Sequence, residues 1–378
     1  MLKRTKSTGC NSPIIVITHD FPPYSGGISR HLADICQFLP AERLTVVAPK
    51  LPDCNEFDER IDYRVVRVTT PSGSSKIDRI KEILALYRDF RRIAPKNAKV
   101  IFGHLWVGLM ALFPQWRWKY AQMLYGGEFL EFGSNPLFRR VSTTCSLALP
   151  ISNHTATECQ KWGIPENRIY LINPGLNFSR LAVNGKFPWQ REERKELVLV
   201  TVGRLHRRKG HIFVIEVLSR LRTRFPHLKY LIAGNGEMRP ILEQRAGELG
   251  VKDLVDFLGF VPDKDLAKVY ENADIFVMPS MTDAKSTEGF GIVYLEANYF
   301  GLPVIGFASG GVTDAVINGE TGLLVPPGDL AELEKALITL IENKELRFRL
   351  GQQGRRRVLH EFDAQKIAKR LLEKIDEM

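Results

Sequence analysis

Short apolar runs alternate with longer amphipathic stretches along the whole chain, and that alternation predicts an order of elements. Ile14–Thr18, Leu44–Ala48, Arg64–Val68, Lys99–Phe102, Gln122–Tyr125 and Leu147–Ile151 read as strands in the first half. Leu197–Gly203, Tyr230–Gly234, Val255–Gly259, Ile275–Pro279 and Pro303–Gly306 read as strands in the second. Most are nearly continuous apolar runs, the mark of parallel strands covered on both faces. Helical spacing appears between them, at Gly27–Phe38, Ile77–Ile93, Gly210–Arg224 and Gly289–Phe300. The resulting βαβ rhythm predicts the α/β class, with doubly wound, Rossmann-like sheets.

The rhythm breaks at 184–196, a polar and charged stretch that carries Gly185 and Pro188 and reads as a linker. It divides the 378 residues into a first domain, 1–183, and a second, 197–360. The remaining 361–378 read as a charged amphipathic helix able to cross back to the first domain. No apolar run approaches the roughly 18–20 residues that a bilayer requires. The basic start of the chain turns polar without the apolar core of a signal peptide. A cytoplasmic location follows as the expectation. Five cysteines (Cys10, Cys36, Cys54, Cys145, Cys159), widely spaced and without a C-x-x-C pair, argue against zinc or a disulfide framework.

The net charge of +10 attracts polyanions without choosing among them. Two stretches narrow the choice. Glu288–Glu296, EGFGIVYLE, joins a loop to a helix, and Gly289 and Gly291 permit a close backbone approach. The N–H groups of Gly291 and Ile292 open that helix, a ready anion site. Glu288 suits the hydroxyls of a hexose, and Glu296 those of a ribose; a solvated loop glutamate and a helix-face glutamate would look the same. The second stretch, VGRLHRRKGH, follows a strand and precedes a helix. It puts Arg204 and Lys209 at the carboxyl edge of a sheet, where open α/β folds bind ligands. There they suit a diphosphate leaving group, unless the run is simply a solvated basic loop. Two further loops stand at carboxyl ends of strands: His19–His31, whose Gly26 and Gly27 relax the backbone, and His104 after Lys99–Phe102.

Together these motifs resemble glycosyltransferase family 4, retaining enzymes of the GT-B fold, in which two Rossmann-like domains face each other across a cleft. The resemblance is strongest from Val202 to Val325, where GRLHRRKG, IAGNGE, FLGFVP, ADIFVMPS, EGFGIVYLEA, GLPVIG, SGGVTDAV and NGETGLLVPPGD occur in the family's order. It implies that Arg204 and Lys209 bind the diphosphate and that Glu288 contacts the donor sugar. It further implies that backbone groups of Phe290, Gly291 and Ile292 lie beside sugar and phosphates, and that Glu296 takes the ribose diol. Phe260 and Val261 match the loop that holds the base, His104 a histidine near the reacting sugar, and Gly26 and Gly27 the family's first glycine-rich loop. Tyr125 stands where the family often has histidine, which puts the acceptor side, read here as Tyr125 and Glu128, in doubt.

The expected activity is therefore a retaining hexosyl transfer, with the nucleotide sugar as co-substrate and neither cofactor nor metal. UDP-glucose is the default donor and GDP-mannose the alternative. The acceptor is a saccharide, lipid-linked as in surface polysaccharide assembly, with a soluble acceptor as its rival and a non-catalytic nucleotide-sugar-binding protein as a remote third reading. Lys76 to Lys96 carries seven basic against three acidic residues, and its apolar positions recur at helical spacing. With the aromatics of Gln115–Tyr120, it could rest on anionic lipid at the inner face of the membrane, or pack in the core. No nucleic-acid module is present, and the basic residues are scattered; nucleic acid is not an expected partner.

Overall fold

The computed structural model describes residues 12–24, 26–71, 75–183, 185–192, 196–284 and 286–378. Cys10 and part of the expected linker (184 and 193–195) lie outside these residues. The chain divides into two units. One contains the residues up to Ile151, Thr155–Gly175 and Ala364–Met378; the other contains Ser152–His154 and Leu176–Asp363.

The first unit is built on β1 (Ile14–Ile17), β2 (Leu44–Pro49), β3 (Arg64–Val68), β4 (Lys99–Phe102), β5 (Tyr120–Leu124) and β6 (Leu147–Pro150), in the order β3-β2-β1-β4-β5-β6. The second repeats the plan with β7 (Leu197–Val202), β8 (Leu228–Ala233), β9 (Val255–Gly259), β10 (Ile275–Met278), β11 (Val304–Phe307) and β12 (Gly322–Val325), in the order β12-β11-β10-β7-β8-β9. All ladders are parallel, as the unbroken apolar runs predicted; Val16, for example, sits between Val46 of β2 and Ile101 of β4. Two doubly wound units of this kind make up the GT-B architecture.

Every expected strand is present. The strand that the hydrophobic pattern did not reveal is β12, whose four residues lie inside the turn-rich NGETGLLVPPGD and are only half-buried at Leu323 and Leu324. It is an edge strand, so one side of its ladder has no apolar partner to write a signal into the sequence.

The helix Lys76–Ile93 divides its apolar residues. Ile83, Leu86 and Phe90 are buried in the first unit's core, whereas Ile77, Ile80 and Leu84 are exposed. Trp116 and Trp118 do not stand out as interfacial aromatics. Trp118 is buried, both rings pack with Phe90, and their indole N–H groups donate to the carbonyls of Trp118 and Pro95. A buried indole with its N–H satisfied has no polar tip left to present at an interface. Among the described residues no helix is long and apolar enough to cross a membrane.

Candidate functional site

In the second sheet β7 and β10 are neighbours, but the chain leaves β7 toward β8 and β9 and leaves β10 toward β11 and β12. The carboxyl ends of β7 and β10 therefore flank a crevice that no crossover helix fills, where open α/β sheets take ligands. After β7, a single tight turn over Arg207–Lys209 ends at Gly210 with φ +75°. A Cβ there would lie 2.1 Å from the carbonyl oxygen of Pro279, just beyond β10. Glycine thus lets the two loops touch, and Met281 N–H donates to Arg208 O at 2.8 Å across the same contact. Gly210→Ala is expected to cost at least about 2 kcal/mol, through the left-handed backbone and the clash together, read as a lowered denaturation midpoint.

That contact aims two cations at one carboxylate. Lys209 Nζ lies 2.6 Å and Arg208 Nη1 2.7 Å from the same oxygen, Glu288 Oε2, and Ser280 Oγ donates to it at 3.1 Å. Both cations and the glutamate are largely buried. Burial alone would push the Glu288 carboxyl up, but Lys209 and Arg208 outweigh it and hold it down at about 2. Burial pulls the Lys209 ammonium down, with Glu288 opposing. The cluster is an ion pair on balance. Arg204 is exposed and close enough to Lys209 to weigh on its charge, so it belongs to the same field.

Glu288 is held from behind as well: its carbonyl accepts from Gly311 N–H at 2.7 Å. Gly291 follows with φ +87° and caps the helix Ile292–Tyr299. Its α-carbon leaves a Cβ position only 3.6 Å from Glu288 Cγ, which sets the helix start beside the carboxylate. Lys209, Glu288 and the first turn of that helix thus share one place. The ring of Phe290 is core, packed edge-on to Phe362 at 5.8 Å, so only its backbone belongs to the site. Phe260, just past β9, is 61% exposed, and Val261 is half-buried beside it. An exposed ring at the carboxyl end of a strand is a free stacking surface.

Glu296 is paired within the protein. It is fully buried; Oε1 accepts from Arg180 Nη2 at 3.2 Å and Oε2 from the Tyr270 hydroxyl at 2.8 Å. Arg208, Ser280, Arg180 and Tyr270 were not singled out from the sequence. Arg208 was visible as part of the basic run, but spacing alone cannot say which side chains of a tight turn converge; Arg180 and Tyr270 carried no local signal.

The first unit gathers its candidates at its own switch point, where Gly103 N–H donates to Ile17 O at 2.8 Å and brings the loops after β1 and β4 together. His104 Nδ1 accepts from Trp106 N–H at 3.2 Å, which leaves the proton on Nε2 of a neutral ring. Burial lowers its pKa. His19, on the neighbouring loop, bonds Glu82 at 2.5 Å, which raises its pKa.

Gly26 and Gly27 do not relax the backbone as expected. Gly26 is extended (φ −175°) and Gly27 opens the helix Gly27–Cys36, conformations that any residue adopts. What glycine leaves at 27 is room, since a Cβ there would have nothing within 4 Å. Tyr125 and Glu128 are buried: Glu128 accepts from Tyr125 N–H at 2.8 Å, and burial pushes its carboxyl up to about 7.

Comparison with known proteins agrees with this fold. The model for Glycosyltransferase Family 4 matches residues 25–180, and that for Glycosyl transferases group 1 matches residues 185–357. The GDP-mannose-dependent alpha-(1-6)-phosphatidylinositol monomannoside mannosyltransferase of Mycolicibacterium smegmatis is 29% identical across 95% of this chain and 97% of its own length. Among solved structures, sucrose-phosphate synthase from Thermosynechococcus elongatus superposes with a TM-score of 0.81 at 21% identity, covering 97% of this chain and 98% of that one. HepE of Anabaena in complex with UDP-glucose gives 0.78 at 19%, covering 97% and 100%.

Proposed function

Because the chain belongs to glycosyltransferase family 4, we propose that it transfers mannose from GDP-mannose to a lipid-linked saccharide, with retention at the anomeric carbon and without a metal. The observation that carries the reading is the convergence of Lys209, Arg208 and Glu288 at the β7–β10 crevice. Arg204, Lys209 and the first N–H groups of the helix Ile292–Tyr299 meet the charge that develops on a departing diphosphate. Glu288 fixes the hexose hydroxyls, Phe260 and Val261 receive the base, and Glu296 receives the ribose. In this reading a hydroxyl enters on the face from which the phosphate leaves, so placement and charge stabilisation replace a protein nucleophile. His104, neutral and with a proton on Nε2, serves the reacting end in the first unit.

GDP-mannose replaces UDP-glucose as our preferred donor because a relative matched over nearly its whole length is named for it. The same name, with its phosphatidylinositol acceptor, supports a lipid-linked substrate. So do Ile77, Ile80 and Leu84, exposed on a helix that also carries Lys76, Lys81 and Arg88, a composition suited to anionic lipid at the cytoplasmic face.

The test is release of free nucleotide from GDP-, UDP- and ADP-sugars, with and without a lipid extract. GDP-mannose consumption stimulated by the extract is expected. If no nucleotide sugar is bound or consumed, the catalytic reading fails. Glu288→Gln should keep GDP affinity and lose transfer; equal loss of both would take Glu288 away from the sugar.

A further inference from the structure

Three donors share a single oxygen of Glu288, and one of them has a second task. Lys209, Arg208 and Ser280 all bond Oε2, while Oε1 has no protein donor among the described residues. If Lys209 binds the donor diphosphate, as the proposed function requires, it turns at least part of its ammonium away from a carboxylate buried more deeply than itself. A carboxylate left in that position with only a serine hydroxyl would take up a proton or move.

We propose that Arg208 is a positioning residue, which holds the Glu288 carboxylate in place while Lys209 passes to the diphosphate. This rests on the proposed function and adds to it a division of labour between adjacent cations. The turn Arg207–Lys209 supplies the geometry, because Arg208 is tied to the β10 side by its own carbonyl, which accepts from Met281 N–H at 2.8 Å. Its guanidinium can thus stay on Glu288 while the longer, more flexible lysine stem swings. With Oε2 anchored, Oε1 is the oxygen that faces the hexose.

The charges around the site fit this scheme. Among the described residues, Arg208 and Lys209 are the cations that act on Glu288, and Arg204 acts on Lys209. His211 lies beside Lys209 but is kept neutral by burial, which pulls its pKa down to about 3. Tyr294, from the helix that starts at Ile292, is held protonated by burial. The loop at Ser309–Gly311 contributes hydroxyl and backbone groups only. Three positive charges against one negative leave an excess for the diphosphate after Arg208 has paired Glu288.

The test is the carboxyl titration of Glu288 by 13C NMR, assigned with Glu288→Gln, in the whole chain. It is run on the wild type, Arg208→Gln and Arg208→Lys, each free and saturated with GDP. In the wild type the carboxyl should stay ionised to low pH in both states. In Arg208→Gln it should titrate higher, and GDP should raise it by roughly a further 1–3 pH units as Lys209 leaves. Arg208→Lys should restore most of the wild-type behaviour. The acid limb of kcat, which reports the donor-bound state, should move more than that of kcat/KM. If GDP binds and leaves the Arg208→Gln titration at its wild-type position, the inference is overturned while the proposed function stands. If neither GDP nor any nucleotide sugar binds, both fall together.

Discussion

Lys209→Ala is expected to lower kcat by about 10²–10³, the usual cost of removing one preorganised group that meets charge developing in a transition state. The loss should deepen as the pH falls. Glu288 is ionised in the folded protein only because Lys209 and Arg208 outweigh its burial, which holds it at about 2 against an ordinary 4.5. A carboxyl depressed on folding stabilises the protein above its unfolded value, and that contribution fades as the pH drops toward the folded one. Without Lys209 the folded value climbs only by that residue's share, because Arg208 still pairs Glu288, and the window narrows accordingly. The variant should therefore lose both turnover and acid stability, and steady-state kinetics with denaturation at pH 7 and pH 4 would read the two separately. Equal turnover in the variant and the wild type would remove the lysine from the chemistry.

Glu296→Ala is expected to act first on stability, by about 3 kcal/mol or more, because breaking a buried pair leaves the partner charge uncompensated. Glu296 is wholly enclosed, and Arg180, itself largely buried, spends a guanidinium nitrogen on it. Tyr270 loses its acceptor at the same time, at 2.8 Å in the wild type. Asp263, 3.5 Å from Arg180 and more exposed, offers only partial relief. Glu296→Gln, which keeps an acceptor for the tyrosine, should recover part of the loss. If donor affinity collapses in Glu296→Gln while the denaturation midpoint stays put, ribose contact is the greater part of what this residue does; the reverse pattern makes it chiefly a strut.

The contrast between these two glutamates explains what the sequence could and could not reveal. The strands of both sheets were legible because parallel strands buried on two faces are apolar almost throughout, as β1 and β10 are along their whole length. β12 was not, being a four-residue edge among turn residues. At the site, position along the chain predicted that Arg204, Lys209, Glu288 and Ile292 stand at carboxyl edges or helix starts. It could not tell that Glu288 is bound by Arg208 as well as Lys209, since side chains in a tight turn may converge or diverge with the same spacing. Nor could it tell that Glu296 points inward, because a glutamate within an apolar helix reads as the polar exception and not as half of an ion pair with residue 180. The tryptophans of Gln115–Tyr120 left two readings open, since aromatics beside cations suit a membrane edge as well as a core, and here the rings pack together with Phe90.

The helix Ala364–Glu377 belongs to the first unit, where Ile367, Leu371 and Ile375 are buried and Arg43 grips Asp376 at 2.5 Å. It packs against Gly27–Cys36, the helix that begins at the glycine loop. Removing Ala364–Glu377 would therefore strip one flank of the first unit and bare the apolar residues that now meet Ile367, Leu371 and Ile375.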